Sequence, residues 1–260
     1  MDYNYHTHTF RCMHATDNER SYIQKAIEAG IRHLGFSDHA PFIFPDGHES
    51  FYRVPMRLVK DYFDTLCALR EEFRDRISIH IGFEMEYYPA YFDEMLDIAT
   101  RAGAEYLILG QHFIANEQVT DTRPSLPTED PARLIEYTDC LVAAMKRGVF
   151  TYIAHPDLMR YTRDDNIYRR EVERTCRAAI ETNTPLEINF LGIREGRHYP
   201  LKMTRFWQIA GEMGAPVTFG FDAHNARAAG DIASLPTAME MVKRYGLNYI
   251  GEPRLVPLQN

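Results

Sequence analysis

Short apolar runs alternate with longer segments of helical periodicity along the whole chain, and this alternation limits the fold more than any other feature. Eight runs read as strands: Tyr3–Tyr5, Ile31–Phe36, Ile77–Phe83, Tyr106–Leu109, Phe150–Ile153, Pro185–Phe190, Pro216–Phe221 and Leu247–Ile250. Between them, apolar residues recur at helical spacing. Phe92, Met95, Leu96 and Ala99 fall on one helix face, as do Leu134, Tyr137, Leu141, Ala144 and Met145 on a longer helix. Gly30, Gly103, Gly148 and Gly214 lie just past helical runs, where a C-terminal stop is expected. Repeated strand–helix units specify parallel strands, and seven or eight of them in 260 residues fit a closed barrel better than an open sheet. With no low-complexity tract or linker, residues 1–260 are expected to form a single α/β domain resembling a TIM barrel. Two long connections, Pro41–Val54 and Phe113–Asp130, are candidates for loops near a site.

The strand ends carry the chemistry. His6-Thr7-His8 follows the first strand, and residues i and i+2 of extended backbone point to one side. The second strand runs into Asp38-His39, the third into Glu84, the fourth into Gln111-His112, the fifth into His155-Pro156-Asp157 and the seventh into Asp222-Ala223-His224. Six strands thus deliver His, Asp or Glu at the edge where barrel enzymes build their sites. Imidazoles and carboxylates together are ligands for divalent Zn, Mn or Fe. The set is too large for one tetrahedral ion and suffices for two or three ions sharing a carboxylate. Any one of these short motifs arises by chance in surface strands; their joint placement does not. His33, His48, His80 and His198 lie off this pattern and are assigned to packing or surface.

Composition excludes other classes. Twenty-nine Lys and Arg against 37 Asp and Glu leave a formal charge of −8, which disfavours a general nucleic-acid surface. No stretch approaches the roughly 18 apolar residues of a membrane helix, and the N-terminus lacks the pattern of a signal peptide. Cys12, Cys67, Cys140 and Cys176 form no close pair and read as reduced thiols, three of them on helices, in a cytoplasmic protein.

The same residues resemble the polymerase and histidinol phosphatase (PHP) family, and within it the histidinol-phosphatase branch. The resemblance is carried by Tyr5-His6-Thr7-His8-Thr9, His14, Phe36-Ser37-Asp38-His39-Ala40-Pro41, Gly82-Phe83-Glu84, Gly110-Gln111-His112, His155-Pro156-Asp157-Leu158 and Phe221-Asp222-Ala223-His224. It implies a distorted (β/α)7 barrel with a trinuclear metal centre. By that resemblance His6, His8, Glu84 and Asp222 hold a first divalent ion, and His14, His39 and His224 a second. Glu84 then bridges to a third ion on His112 and His155. Glu86 is a rival to Glu84 by strand parity, and Asp38 is expected to orient a ligand or cap the following turn.

Three divalent ions, two carboxylates and a bridging hydroxide leave a residual charge of about +3, suited to a dianionic phosphate monoester. The expected reaction is direct hydrolysis by a metal-bridging hydroxide, with the general acid unassigned. By similarity to the branch, the substrate is L-histidinol phosphate, in histidine biosynthesis, with Arg160 and Arg197 as the phosphate clamp. Arg194 is expected to be structural or paired with Glu195, and the sixth strand to supply no metal ligand. Phe42, Phe44, Tyr52, Glu86 and Tyr87 are candidates to recognise the imidazole and ammonium. The alternatives are a PHP phosphoesterase or exonuclease acting on another ester, and a metal-binding domain without turnover.

Overall fold

Strand β1 (Tyr3–Asn4) is followed by a short 3-10 turn (Phe10–Cys12) and helix α1 (Glu19–Glu28). Strand β2 (His33–His39), helix α2 (Met56–Phe73), strand β3 (Ser78–Met85), helix α3 (Phe92–Ala102) and strand β4 (Leu107–Leu109) continue the alternation. Next come helix α4 (Pro131–Lys146), strand β5 (Phe150–Ile153), helix α5 (Asp165–Thr182) and strand β6 (Leu186–Asn189). Helices α6 (Phe190–Arg194) and α7 (Arg205–Met213), strand β7 (Pro216–Gly220), helix α8 (Leu235–Tyr245) and strand β8 (Asn248–Tyr249) complete it. This computed structural model describes residues 1–118, 123–196 and 205–258.

All eight strands are parallel and lie in one sheet in chain order. The eighth strand is marginal, pairing only with Pro216 and Val217 at the start of β7. At the opposite end of the sheet, chain beyond β1 meets chain beyond β7. Thr7 and Ala223 form an isolated parallel bridge, with His8 N donating to Ala223 O (2.9 Å) and Ala223 N to His6 O (3.1 Å). Among the described residues the ladder itself does not close. These two hydrogen bonds draw its first and seventh members together at the end that carries the histidines, as in a distorted seven-unit barrel.

Both faces of the sheet are apolar, as parallel strands require. Outside, the helices cover it through the predicted faces. Phe92, Met95 and Ala99 of α3 and all five singled-out residues of α4 are buried; Leu96 is half-buried and Ile98 is buried in addition. Inside, Tyr3, Tyr5, Tyr106, Ile108, Tyr152 and Ala154 pack into a plug. Tyr106 there donates its hydroxyl to Tyr5 O at 2.9 Å. Asp130 and Asp164 accept from the first turns of α4 and α5, a side-chain cap that the sequence reading did not use.

Strands β2 and β3 run further than the apolar runs suggest. Ser37, Asp38 and His39 pair with Gly82, Phe83 and Glu84, so the polar residues are still in the ladder. Hydrophobicity marks where the core ends, whereas the hydrogen-bonded backbone continues into the site. All four cysteines are free of disulfides, and Cys67, Cys140 and Cys176 lie on helices. Among the described residues no helix is long and apolar enough to cross a membrane.

Phe83 anchors α2 to this sheet. It stacks on Tyr62 with ring centroids 5.3 Å apart and meets Phe63 edge-on at 5.7 Å. Phe83→Ala is expected to cost about 3–5 kcal/mol in urea unfolding, because the cavity it opens lies between packed aromatics. A loss below 1 kcal/mol would show that the region repacks.

Candidate metal centre

Glu84, at the end of β3, is 1% exposed and lies among five imidazoles. Its Oε2 is 3.5 Å from His6 Nε2, 3.5 Å from His8 Nε2 and 3.1 Å from His39 Nδ1. Its Oε1 is 3.0 Å from His155 Nε2 and 3.5 Å from His112 Nε2. Asp222 lies on the other side of His6 and His8, with Oδ1 at 3.6 and 3.3 Å from their Nε2 atoms and 3.1 Å from His224 Nδ1. His14 completes the group, its ring centroid 4.8 Å from that of His224 and 5.1 Å from that of His39. The structure therefore brings together all nine residues expected to ligate metal.

The backbone is shaped around these side chains. A Cβ at Gly110, just past β4, would collide with the Glu84 carboxylate, and one at Gly220 would collide with Glu187. Two glycines thus leave the room that two buried acids fill. His155 and Asp222 adopt φ of 31° and 48°, a region disfavoured for residues with a Cβ and found where a site dictates the backbone.

A second layer of acceptors orients the imidazoles. His6 Nδ1 is 2.8 Å from Glu187, His112 Nδ1 is 3.0 Å from Glu86, and His14 Nδ1 is 2.8 Å from Cys12 O. Asp38 is 3.6 Å from His8 Nδ1 and accepts from Thr9 and His39. At 3.6 Å Asp38 makes no hydrogen bond to His8; it holds the backbone N–H groups of Thr9 and His39 at the strand end. Glu86 points away from the centre of the cluster, to His112 and Arg53.

Titration follows from this crowding. Burial alone would push His6 down, but Glu187, Asp222 and Glu84 outweigh it and push it up to about 10. Burial would raise the Glu84 and Asp222 carboxyls, yet the surrounding histidines hold both well below the usual carboxylate range. Burial, together with His224 and His8, lowers His14 to about 4. Burial likewise lowers His39 despite Glu84, and lowers His224 despite Asp222.

The donors fit divalent cations. His6 Nε2, both ring nitrogens of His8, Glu84 Oε2 and His155 Nδ1 are buried without a hydrogen-bond partner. Such orphaned polar atoms are costly unless something else satisfies them. Several sets lie close enough to share an ion, among them His6 with His8 and Asp222, His6 with Glu84 and His155, and His8 with His39 and His224; others bring Cys12 to His14 and His224, and Cys12 and Asp38 to His8.

Beside the cluster opens a cavity of about 340 Å³ lined in part by Tyr52, Phe113, Arg123, Ser125, Asn189 and Glu195. The two expected phosphate ligands fare differently from the histidines. The Arg160 side chain is exposed and is not part of the cavity wall, while its backbone bonds to Pro124 and Thr128 hold the segment bearing Arg123. Arg197 lies outside the described residues, as does His198. Arg194 is structural, but its partners are Asp231 and the Asp222 carbonyl, both at 2.9 Å, in place of the anticipated Glu195. Phe42 and Phe44 are buried in the core, Tyr87 packs on Phe92, and Tyr52 alone of the aromatic candidates faces the cavity. His33 and His80 lie near Glu252 and Glu105, and His48 near Glu117, none of them in the cluster.

Strand β6 contributes more than its sequence suggested. Glu187 binds His6 and the His155 backbone, and Asn189 donates to Glu187 and Asp222. Their shared parity within an apolar strand was the available signal. Arg53 and Arg123 sit in irregular segments with no such signal.

The family pattern for the PHP domain matches residues 4–190. A probable histidinol-phosphatase of Deinococcus radiodurans is 24% identical over 233 residues, covering 86% of this chain and 87% of its own. The histidinol-phosphatase of Lactococcus lactis is 26% identical over 264 residues, covering 95% of this chain and 92% of its own. A solved structure of histidinol phosphate phosphatase from Lactococcus lactis, complexed with zinc, L-histidinol and phosphate, superposes with a TM-score of 0.71. It is 23% identical and covers 95% of either chain.

Two outcomes test the cluster. His8→Ala is expected to lose bound zinc by elemental analysis; full retention would remove His8 from the ligands. At pH 8 the ion-free chain holds a proton on His6, whose pKa of about 10 lies above the solution pH. Ligation needs that nitrogen's lone pair, so adding zinc in weak buffer is expected to acidify the solution. No acidification would show that His6 is already neutral or does not ligate.

Proposed function

The chain belongs to the PHP domain family, and from that premise we propose that it is a metal-dependent phosphomonoesterase that converts L-histidinol phosphate and water to L-histidinol and phosphate. The observation that carries the reading is the buried carboxylate of Glu84 within 3.5 Å of nitrogens from five histidines, at the edge of a cavity sized for a small molecule. The relatives named for that activity support it.

His6, His8, Glu84 and Asp222 would hold one divalent ion, His14, His39 and His224 a second, and Glu84, His112 and His155 a third. When bound, such ions supply Lewis acidity towards phosphate oxygens and make hydroxide available from water at neutral pH. The chain's own residues bind, orient and exclude. Glu86 and Glu187 fix the rings of His112 and His6, so that ligand positions are set before substrate arrives. Arg123 on the cavity wall offers its guanidinium to the phosphate, and Arg160, on the segment hydrogen-bonded to Pro124 and Thr128, and Arg197 are proposed as the rest of the clamp. Tyr52 and Phe113, with ring centroids 6.1 Å apart, form the apolar wall against which an imidazole ring packs. Glu195 places negative charge on the same wall, towards the substrate's ammonium.

Activity against L-histidinol phosphate is to be compared with a panel of phosphomonoesters and a single-stranded oligonucleotide. The expected result is preference for histidinol phosphate, abolished by chelation and restored by a divalent ion. Faster oligonucleotide cleavage would overturn the assignment. Arg123→Ala and Arg160→Ala are each expected to lower kcat/KM about 10- to 100-fold, the value of a charge-assisted hydrogen bond, at constant metal content. Unchanged kcat/KM would remove the residue from the phosphate site.

A further inference from the structure

Behind His112 a line of charged side chains runs away from the metal cluster into the protein. Glu86 Oε1 lies 3.0 Å from His112 Nδ1, and Glu86 Oε2 accepts from Arg53. Arg53 Nε donates to Glu117 Oε2 at 3.0 Å. Glu117 Oε1 lies 3.5 Å from His48 at the surface end. The Arg53, Glu86 and Glu117 side chains are only 2–3% exposed. Arg53 is gripped further by the Phe42 ring, 4.5 Å below its guanidinium, and by contact with the Tyr88 hydroxyl at 3.4 Å. Burying three charges is costly, and an arginine amid apolar rings and two acids is not a surface accident.

We infer that Arg53 is a positioning residue for the ion on His112 and His155: through Glu86 it fixes the tautomer of His112. Arg53 can only donate, so the Glu86 oxygen facing it must accept. A carboxylate meets that demand and still presents its second oxygen to His112. His112 Nδ1 then carries the proton, and Nε2, which faces Glu84, keeps the lone pair that an ion needs. Arg53 also ties this ligand to the cavity wall, because it follows Tyr52 in sequence and holds Glu117 beyond Phe113. The inference uses the functional reading only for the expectation that ions occupy the cluster.

The logic makes an unusual demand of Glu86→Gln. Arg53 would claim the amide oxygen and turn the amide NH2 towards His112. Nδ1 would then have to accept, the proton would move to Nε2, and the ligand would be blocked. Removing the arginine as well, in the double variant R53M/E86Q, frees the amide to turn its oxygen to His112. Zinc stoichiometry and affinity, measured by competition with a chromophoric chelator on the full chain, read this directly, with circular dichroism to score folding. E86Q is expected to weaken one zinc site about 10- to 100-fold and leave the others unchanged. R53M/E86Q is expected to recover most of that loss. A role in folding alone predicts that the double variant is no better than E86Q, and that result overturns the proposal. E86Q with an unaltered weakest site overturns it too. If R53M/E86Q does not fold, R53Q/E86Q substitutes; a glutamine at position 53 can accept as well as donate, so it leaves the amide at position 86 free to turn its oxygen to His112, and no recovery there is again contrary. Failure to hydrolyse histidinol phosphate with the zinc pattern intact would sink the functional reading and leave this one standing.

Discussion

A buried carboxylate surrounded by imidazoles is the constraint on which the rest of this molecule turns. Glu84 is almost wholly removed from water, and an isolated carboxylate in that position would cost several kcal/mol. It persists because His6, His8, His39, His112 and His155 surround it and because the cluster is built to take up cations. Folding and ion binding are therefore linked: the barrel brings the ligands together at the cost of desolvating them, and ions bound there offset that cost. Gly110 shows the same constraint from the other side, since the position tolerates no side chain where the carboxylate lies.

Around this centre the protein arranges a ring of fixed acceptors. Glu187 and Glu86 hydrogen-bond the rings of His6 and His112, and Asp38 the backbone of Thr9 and His39; each comes from a different strand or strand end. This explains why the strand ends carry more acids than the ions need. Acids in the inner layer can bind cations, while those in the outer layer decide which ring nitrogen is free to do so. Strand β6 places Glu187 behind His6 and the His155 backbone, while Asn189 holds Asp222 and lines the cavity. The cavity then opens where β5, β6 and the irregular segments meet, so its apolar and arginine-bearing walls are loops laid beside the histidine cluster.

Much of this was legible in the chain. Strand–helix alternation and the glycine stops gave the architecture, because parallel strands need apolar runs and helices need a residue at ease with positive φ to end them. The strand-end histidines were legible because extended backbone turns alternate residues to one side, so His6 and His8 could be paired before any fold was known. The two ends of the sheet were not. Tyr3–Tyr5 and Pro216–Phe221 read as ordinary strands, and nothing local says that the chain beyond them joins through Thr7 and Ala223. The arginines had no local pattern to place them. Arg160 lies on the expected loop with its side chain outward, whereas Arg123, in a segment without periodicity, lines the cavity.

The sequence by itself determined the class of fold and the strand ends at which the candidate ligands stand, since these depend on residue type and on the short-range periods of helix and strand; His14, and Glu84 over Glu86, came only with the family resemblance. Only the tertiary structure decided which partner each ligand has. His6 meets Glu187 across 181 positions of chain, and Arg53 meets Glu86 across 33 and Glu117 across 64. Such pairings depend on the register and curvature of the whole sheet and on how irregular loops settle against it. A hydrogen bond is decided within a few tenths of an ångström, and no local pattern of residues encodes distance at that scale.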